Sequence, residues 1–295
     1  MLEFDGLTKS YGDKLVLDRL GFAVRPGEMF GFCGANGAGK TTTMRIALGL
    51  VRADAGTVRW RDRVVDLEIR RRIGYLPEER GLYPKMRVGE QLDYFGRLHG
   101  MTSAAARKAA DVLTERLGIA DRRKDQVEKL SLGNQQKVQL AAALVHDPEV
   151  LILDEPFGGL DPVGVDALTE TLHERCRAGV PVVFSSHQLD LVERVCDSVG
   201  INAGAMVAQG SVAELRERAG TRQLRVVVPE AEPGWAATLP GVRVVSEDGS
   251  EVLLELDDPG RDQHVLAAAQ RTGPVRHFSW RQPSLTELFR GAVAG

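Results

Sequence analysis

An α/β fold built on a parallel sheet, followed by a small α+β unit, is what this sequence predicts. Three observations predict it. Two apolar runs, Val150–Leu153 and Pro181–Ser185, flank a helical stretch at 163–178, a βαβ order that implies parallel pairing. A glycine-rich loop at 34–39 joins the apolar run Met29–Cys33 to a helical segment that opens at Lys40 and is closed by Gly49. Beyond Gly220 the texture changes: no lysine occurs from 219 to 295, and the pattern reads strand, short helix, strand, strand, helix, strand.

The other elements follow in chain order. Leu2–Phe4 and Leu15–Phe22 read as strands, and Pro26–Glu28 as the turn before Met29. Gly56–Trp60 reads as a strand, 66–72 as a short polar helix and Ile73–Leu76 as a strand. Residues 87–146 are helical in pattern. Within them Ser103 is the expected cap of a helix with Ala106, Ala109, Ala110, Leu113 and Leu117 on one face, and Asn134–Val145 continues the pattern. In the tail the strands fall at 222–228, 242–246, 251–256 and 274–280, with helices at 233–238 and 261–271. That βαββαβ order is the split-βαβ, ferredoxin-like one. A last amphipathic helix after Pro283 sets Leu285, Leu288 and Phe289 on one side. The expected domains are 1–218 and 219–295, joined near 217–221, with a helical subdomain at about 87–146.

Composition removes several function classes. The chain has 295 residues, with 38 basic against 41 acidic ones and a net charge of -3. That argues against a polybasic nucleic-acid or membrane-surface binder. Cys33, Cys176 and Cys196 are widely spaced and form no CxxC pair, which fits a reducing compartment with neither a zinc cluster nor a disulfide framework. The first residues hold no signal-peptide apolar region, and no apolar run approaches the ~18 residues of a membrane span.

Two motifs carry chemistry. Gly34-Ala35-Asn36-Gly37-Ala38-Gly39-Lys40-Thr41 fits GxxxxGK[ST], after an apolar strand and opening a helix. Its glycines let the backbone wrap phosphates, and the helix N-terminus adds partial positive charge. Lys40 would bridge the β- and γ-phosphates of a nucleotide, Thr41 would bind Mg²⁺, and Thr42 could reach the α-phosphate. Val150–Leu153 then ends in Asp154-Glu155. At the carboxyl end of a strand in a phosphate-binding α/β fold, Asp154 would hold Mg²⁺ through water and Glu155 would orient or deprotonate the attacking water.

With both motifs in hand, the chain resembles the ATP-binding subunit of an ATP-binding-cassette (ABC) transporter, a P-loop NTPase with a RecA-like core, an N-terminal antiparallel β subdomain and a helical signature subdomain. The family's LSGGQ signature is matched by Leu130-Ser131-Leu132-Gly133-Asn134-Gln135, with Ser131 and Gly133 kept and Leu132 and Asn134 departing. The resemblance implies a head-to-tail homodimer, or a heterodimer with a second such subunit, sandwiching two ATP. In it Ser131, Gly133 and Asn134 complete the partner's site. It also implies that Tyr11 stacks on adenine, that Asp161 in Gly159-Leu160-Asp161-Pro162 belongs to the loop coupling the two sites, and that His187 contacts the γ-phosphate. Glu78 stands where the family commonly has a metal-sensing glutamine, so a metal-linked role with altered metal dependence is expected of it.

The tail, with its ending Pro-Ser-Leu-Thr-Glu-Leu-Phe, resembles the small C-terminal domain of some bacterial exporter ATPases. Gly74–Pro84 and the form LSLGNQQK resemble the sodium- and drug-efflux branch of the ABC-2 exporters. These resemblances imply an ATPase with ATP and Mg²⁺ as cofactors. It would sit peripherally on the cytoplasmic face of the cell membrane through separate membrane-spanning permease subunits. The helical region and the loop from Glu78 to Arg87 would receive a coupling helix, and no nucleic acid is involved. The alternatives are a soluble ABC ATPase acting on ribosomes, DNA or cluster assembly, and a regulatory module that binds ATP without turnover.

Overall fold

The computed structural model describes residues 1–218, 223–281 and 284–287. The chain divides into two compact units, Met1–Ser211 and Val212–Gly295. The first contains, in order, β1 (Leu2–Tyr11), β2 (Lys14–Val24), β3 (Met29–Gly34), α1 (Lys40–Ala47), β4 (Ala55–Trp60), β5 (Arg63–Val64), α2 (Leu67–Arg70), β6 (Ile73–Leu76), α3 (Val88–Leu98), α4 (Ser103–Arg116), α5 (Leu132–Leu144), β7 (Val150–Asp154), α6 (Pro162–Arg177), β8 (Val182–Ser186), α7 (Leu189–Val195), β9 (Ser198–Asn202) and β10 (Met206–Gly210).

Two sheets share one core in this unit. One is antiparallel, in the order β2-β1-β4-β5; the other runs β10-β9-β3-β8-β7-β6 and is parallel except for β10. Every residue of β3, β7, β8 and β9 is buried, as expected of parallel strands covered on both faces. The antiparallel sheet meets them through an aromatic stack: Phe4 lies 4.2 Å from Phe22, and Phe22 lies 5.0 Å from both Phe30 and Phe32. Register then fixes the site. Cys33 pairs with Ser186, Gly34 with Asn202, and Asp154 with Ser185, so the carboxyl ends of these strands align along one edge.

The helices at 88–144 match the expected helical stretch, with one correction. The cap of α4 is Thr102, whose hydroxyl accepts from the Ala105 N–H, while Ser103 is the first helical residue and its hydroxyl donates to Asp93. Two adjacent hydroxyl residues compete for the cap, and the tertiary partner Asp93 takes Ser103 out of the contest.

The second unit contains α8 (Val212–Arg218), β11 (Gln223–Val227), β12 (Val242–Asp248), β13 (Glu251–Leu256), α9 (Asp262–Thr272) and β14 (His277–Arg281). Its antiparallel sheet has the order β12-β13-β11-β14, the split-βαβ topology, over a core of its own that includes Leu224, Val226, Leu254, Val265 and Ala269. The expected helix at 233–238 is a single 3-10 turn, Trp235–Thr238. Leu285 is buried as expected; Pro283, Leu288 and Phe289 lie outside the described residues, as does most of the junction at 217–221.

Candidate nucleotide site

β3 delivers the chain, buried, to the loop at 35–39, and α1 carries it away. Gly39 is the N-cap of α1 at φ 93°, and a Cβ there would sit 2.5 Å from a Leu17 methyl, so both backbone angle and space exclude other residues. At Gly34 a Cβ would stand 2.5 Å from the Asn202 carbonyl oxygen, the consequence of β3 and β9 lying side by side. No side chain caps α1 and no acid sits in its first turn, so its leading N–H groups are free to meet an anion. Lys40, buried at the base of the loop, donates from Nζ to the carbonyls of Gly34 at 2.7 Å and Ala35 at 3.3 Å.

A cleft of about 470 Å³ opens above this loop. It is lined by Tyr11, Lys14 and Val16 from β1 and β2, by Asn36, Gly37, Gly39, Lys40, Thr41 and Thr42 from the loop and α1, and by Glu78, Asp154 and Glu155 from the ends of β6 and β7. Tyr11 ends β1 half-exposed, a ring face available for stacking, with Lys9 Nζ 5.4 Å from its centre. Gly34 and Ala38 lie within the loop without lining the cleft.

The acids at the end of β7 are held by one residue. Ser185 donates from its buried hydroxyl to Oδ1 of Asp154 at 2.5 Å and accepts the Glu155 N–H at 2.9 Å. The other oxygen of Asp154, Oδ2, is buried without a partner. A buried carboxylate oxygen left free, on a residue that lines the same cleft as Thr41, is chemistry suited to a hard divalent cation. Among the described residues no three His, Cys, Asp or Glu side chains cluster as a ready-made metal cage, so nucleotide phosphates would have to complete the coordination. Asp154 is also felt nearby: burial first, and then its negative charge, push the half-buried Tyr75 phenol up. The Cys33 thiol beside the loop is pushed up to about 12 by burial, so it stays protonated and inert. All three cysteines are unpaired.

Glu155 has a left-handed backbone, φ 49°. Its Oε1 is hydrogen-bonded to Nδ1 of His187 at 2.9 Å, so this histidine, well exposed, meets the carboxylate within the chain rather than the floor of the cleft.

Ser131, Gly133, Asn134 and Asp161 do not line the cleft. Ser131 caps α5, accepting the Asn134 N–H at 3.4 Å, and Asp161 caps α6, accepting the Gly164 N–H at 2.7 Å. They adjoin one another, for a Cβ on Gly133 would stand 3.2 Å from the Gly159 carbonyl.

Sequence reasoning missed Asn202, Ser185, Lys14 and Val16. Asn202, fully buried, donates from Nδ2 to the Ala38 carbonyl at 2.6 Å and accepts the Gly204 N–H at 3.0 Å, stapling the loop to β9. Its only local signal is an amide residue ending a short apolar run.

Comparison with known proteins bears on both units. Residues 17–158 match the family model described as "ABC transporter", and residues 210–293 match "ATP-binding protein DrrA1-3-like, C-terminal domain". The chain is 41% identical over 290 residues to the "Uncharacterized ABC transporter ATP-binding protein YhaQ" of Bacillus subtilis, covering 98% of this chain and 97% of the relative. It is 35% identical over 294 residues to the "Daunorubicin resistance ATP-binding protein DrrA3" of Streptomyces coeruleorubidus, covering 97% and 93%. Among solved structures, one described as "Structure of ATP binding subunit of ABC transporter" superposes with a TM-score of 0.69 at 32% identity, over 75% of this chain and 93% of that one.

Proposed function

The chain belongs to the ATP-binding subunits of ABC transporters, and from that premise we propose that it binds and hydrolyses ATP to energise an ABC-2-type exporter through separate membrane-spanning subunits. One observation carries the catalytic half: a phosphate loop with Lys40 and Thr41 and the two acids Asp154 and Glu155 line a single cleft. Two findings support the exporter half. The second unit matches a DrrA-like C-terminal domain, and a relative covered almost end to end is named for daunorubicin resistance. Among the described residues no helix is long and apolar enough to cross a membrane.

In this reading Tyr11 stacks on the adenine, and the backbone of Gly34, Asn36, Gly37, Ala38 and Gly39 wraps the phosphates. Lys40 leaves the loop carbonyls for the β- and γ-phosphates, and Thr42 reaches the α-phosphate. Thr41, Asp154 through water and Glu78 would hold Mg²⁺, which would supply neutralisation of phosphate charge. Glu155 orients and deprotonates water, steadied by His187, which also reaches the γ-phosphate. A second cassette brings Ser131, Gly133 and Asn134 onto that phosphate, with Asp161 in the coupling loop between the sites. The assembly works on the cytoplasmic face of the membrane.

Two experiments test this. Glu155→Gln is expected to cut steady-state ATPase activity by about 10²–10³ while ATP binding persists; retained turnover removes Glu155 from catalysis. Affinity purification of the full chain in mild detergent is expected to bring down a multi-span membrane protein whose presence stimulates the ATPase. Co-purification with ribosomes instead overturns the exporter reading.

A further inference from the structure

Two glutamines one turn apart on the buried face of α5 fasten this helix to both loops that border the cleft. Gln136 donates from Nε2 to the Pro156 carbonyl at 2.8 Å, one residue past Glu155. Gln139, only 3% exposed, donates from Nε2 to the Pro77 carbonyl at 2.6 Å and to the Glu79 carbonyl at 3.4 Å. One side-chain amide thus holds the backbone on both sides of Glu78.

The other half of that amide is idle: Oε1 of Gln139 is buried with no partner. A buried, half-satisfied amide costs stability that an apolar side chain of the same size would not. Packing alone gives no reason for a glutamine here, whereas its donor gives one. The same helix begins at Ser131, eight residues and about 12 Å away along a rigid rod.

We infer that Gln139 is a positioning residue that couples Glu78 in one nucleotide site to the Ser131 end of α5, and so to the nucleotide held by the second cassette. The inference rests on the roles proposed above for Glu78 and Ser131. When closure draws Ser131 onto the opposite γ-phosphate, α5 moves as a unit. Gln139 then carries the segment 77–79 with it, and Gln136 carries the turn after Glu155. Each site is set by the arrival of the other.

The test uses the full-length chain in a Glu155→Gln background, so that ATP is bound but not turned over. Gln139→Met fills the same space and cannot donate. Loss of the tether is expected to speed amide exchange at 78–80 by about tenfold while leaving 34–47 unchanged. It is also expected to raise the ATP concentration for half-maximal dimer, followed by light scattering, by about tenfold. Unchanged exchange at 78–80 overturns the inference. Faster exchange with an unchanged dimer midpoint also overturns it, because a merely structural bond would give that result.

Ser131→Ala in the same background separates the two levels. If it leaves the dimer as strong as before, the role proposed for Ser131 fails. If it weakens the dimer and Gln139→Met does not, only the role of Gln139 fails. Gln139→Leu repeats both measurements should the methionine variant not fold.

Discussion

Ser185 and Asn202 show how single side chains at strand ends organise the cleft. The Ser185 hydroxyl spends its one proton on Asp154 and its lone pair on the Glu155 N–H, so the two acids are spaced by one group. Asn202 does the same for the phosphate loop, with its amide divided between Ala38 and Gly204. Asn202→Ala leaves the Ala38 carbonyl without its donor. It is expected to cost about 1–3 kcal/mol of stability in thermal melts and to weaken ATP binding about tenfold in a titration, with Asn202→Asp no rescue, since a carboxylate cannot donate. The loop itself was legible because its chemistry is contiguous in sequence. Asn202 was not, because its role comes from β9 pairing beside β3, a contact across more than 160 residues.

At the scale of elements, runs with one dominant signal were readable. β7, with four apolar residues before its acid, and β3, leading to glycine, match their expected positions. The stretch 189–210, holding α7, β9 and β10, carried no such signal: its elements are five to seven residues long, and β10 pairs antiparallel at the sheet edge. The turn Trp235–Thr238 is too short for helical periodicity to separate from a 3-10 turn. Capping is another property of elements. Thr102→Ala is expected to destabilise α4 by about 1 kcal/mol in a thermal melt, and Ser103→Ala by clearly less; the reverse ranking would return the cap to Ser103.

For the whole first unit, acid sensitivity is expected at the seam between the helices and the parallel sheet. His146, after α5, stacks on His99, after α3, with ring centres 3.6 Å apart, and Nδ1 of His99 faces the Arg71 carbonyl before β6. Burial first, and then the neighbouring His99, hold His146 down at about 4, from an ordinary 6.5; Arg175 adds to this and Asp147 opposes it. A depressed histidine favours the folded state above 6.5, and that contribution drains away as pH falls from 6.5 towards 4. At pH 5 the loss is about 2 kcal/mol, or several degrees in melting temperature. His146→Gln should flatten the dependence between pH 7.5 and 5; an unchanged slope would place the acid sensitivity elsewhere.

The left-handed backbone of Glu155 has a consequence for how sequences of this kind age. A glutamate in that conformation costs on the order of 1–3 kcal/mol relative to a relaxed one, and glycine or asparagine relieves much of it. Glu155→Gly is therefore expected to raise the melting temperature while ending hydrolysis. Stability and activity are expected to pull this position in opposite directions. A descendant that kept binding ATP but no longer needed to split it is expected to gain stability from asparagine or glycine here.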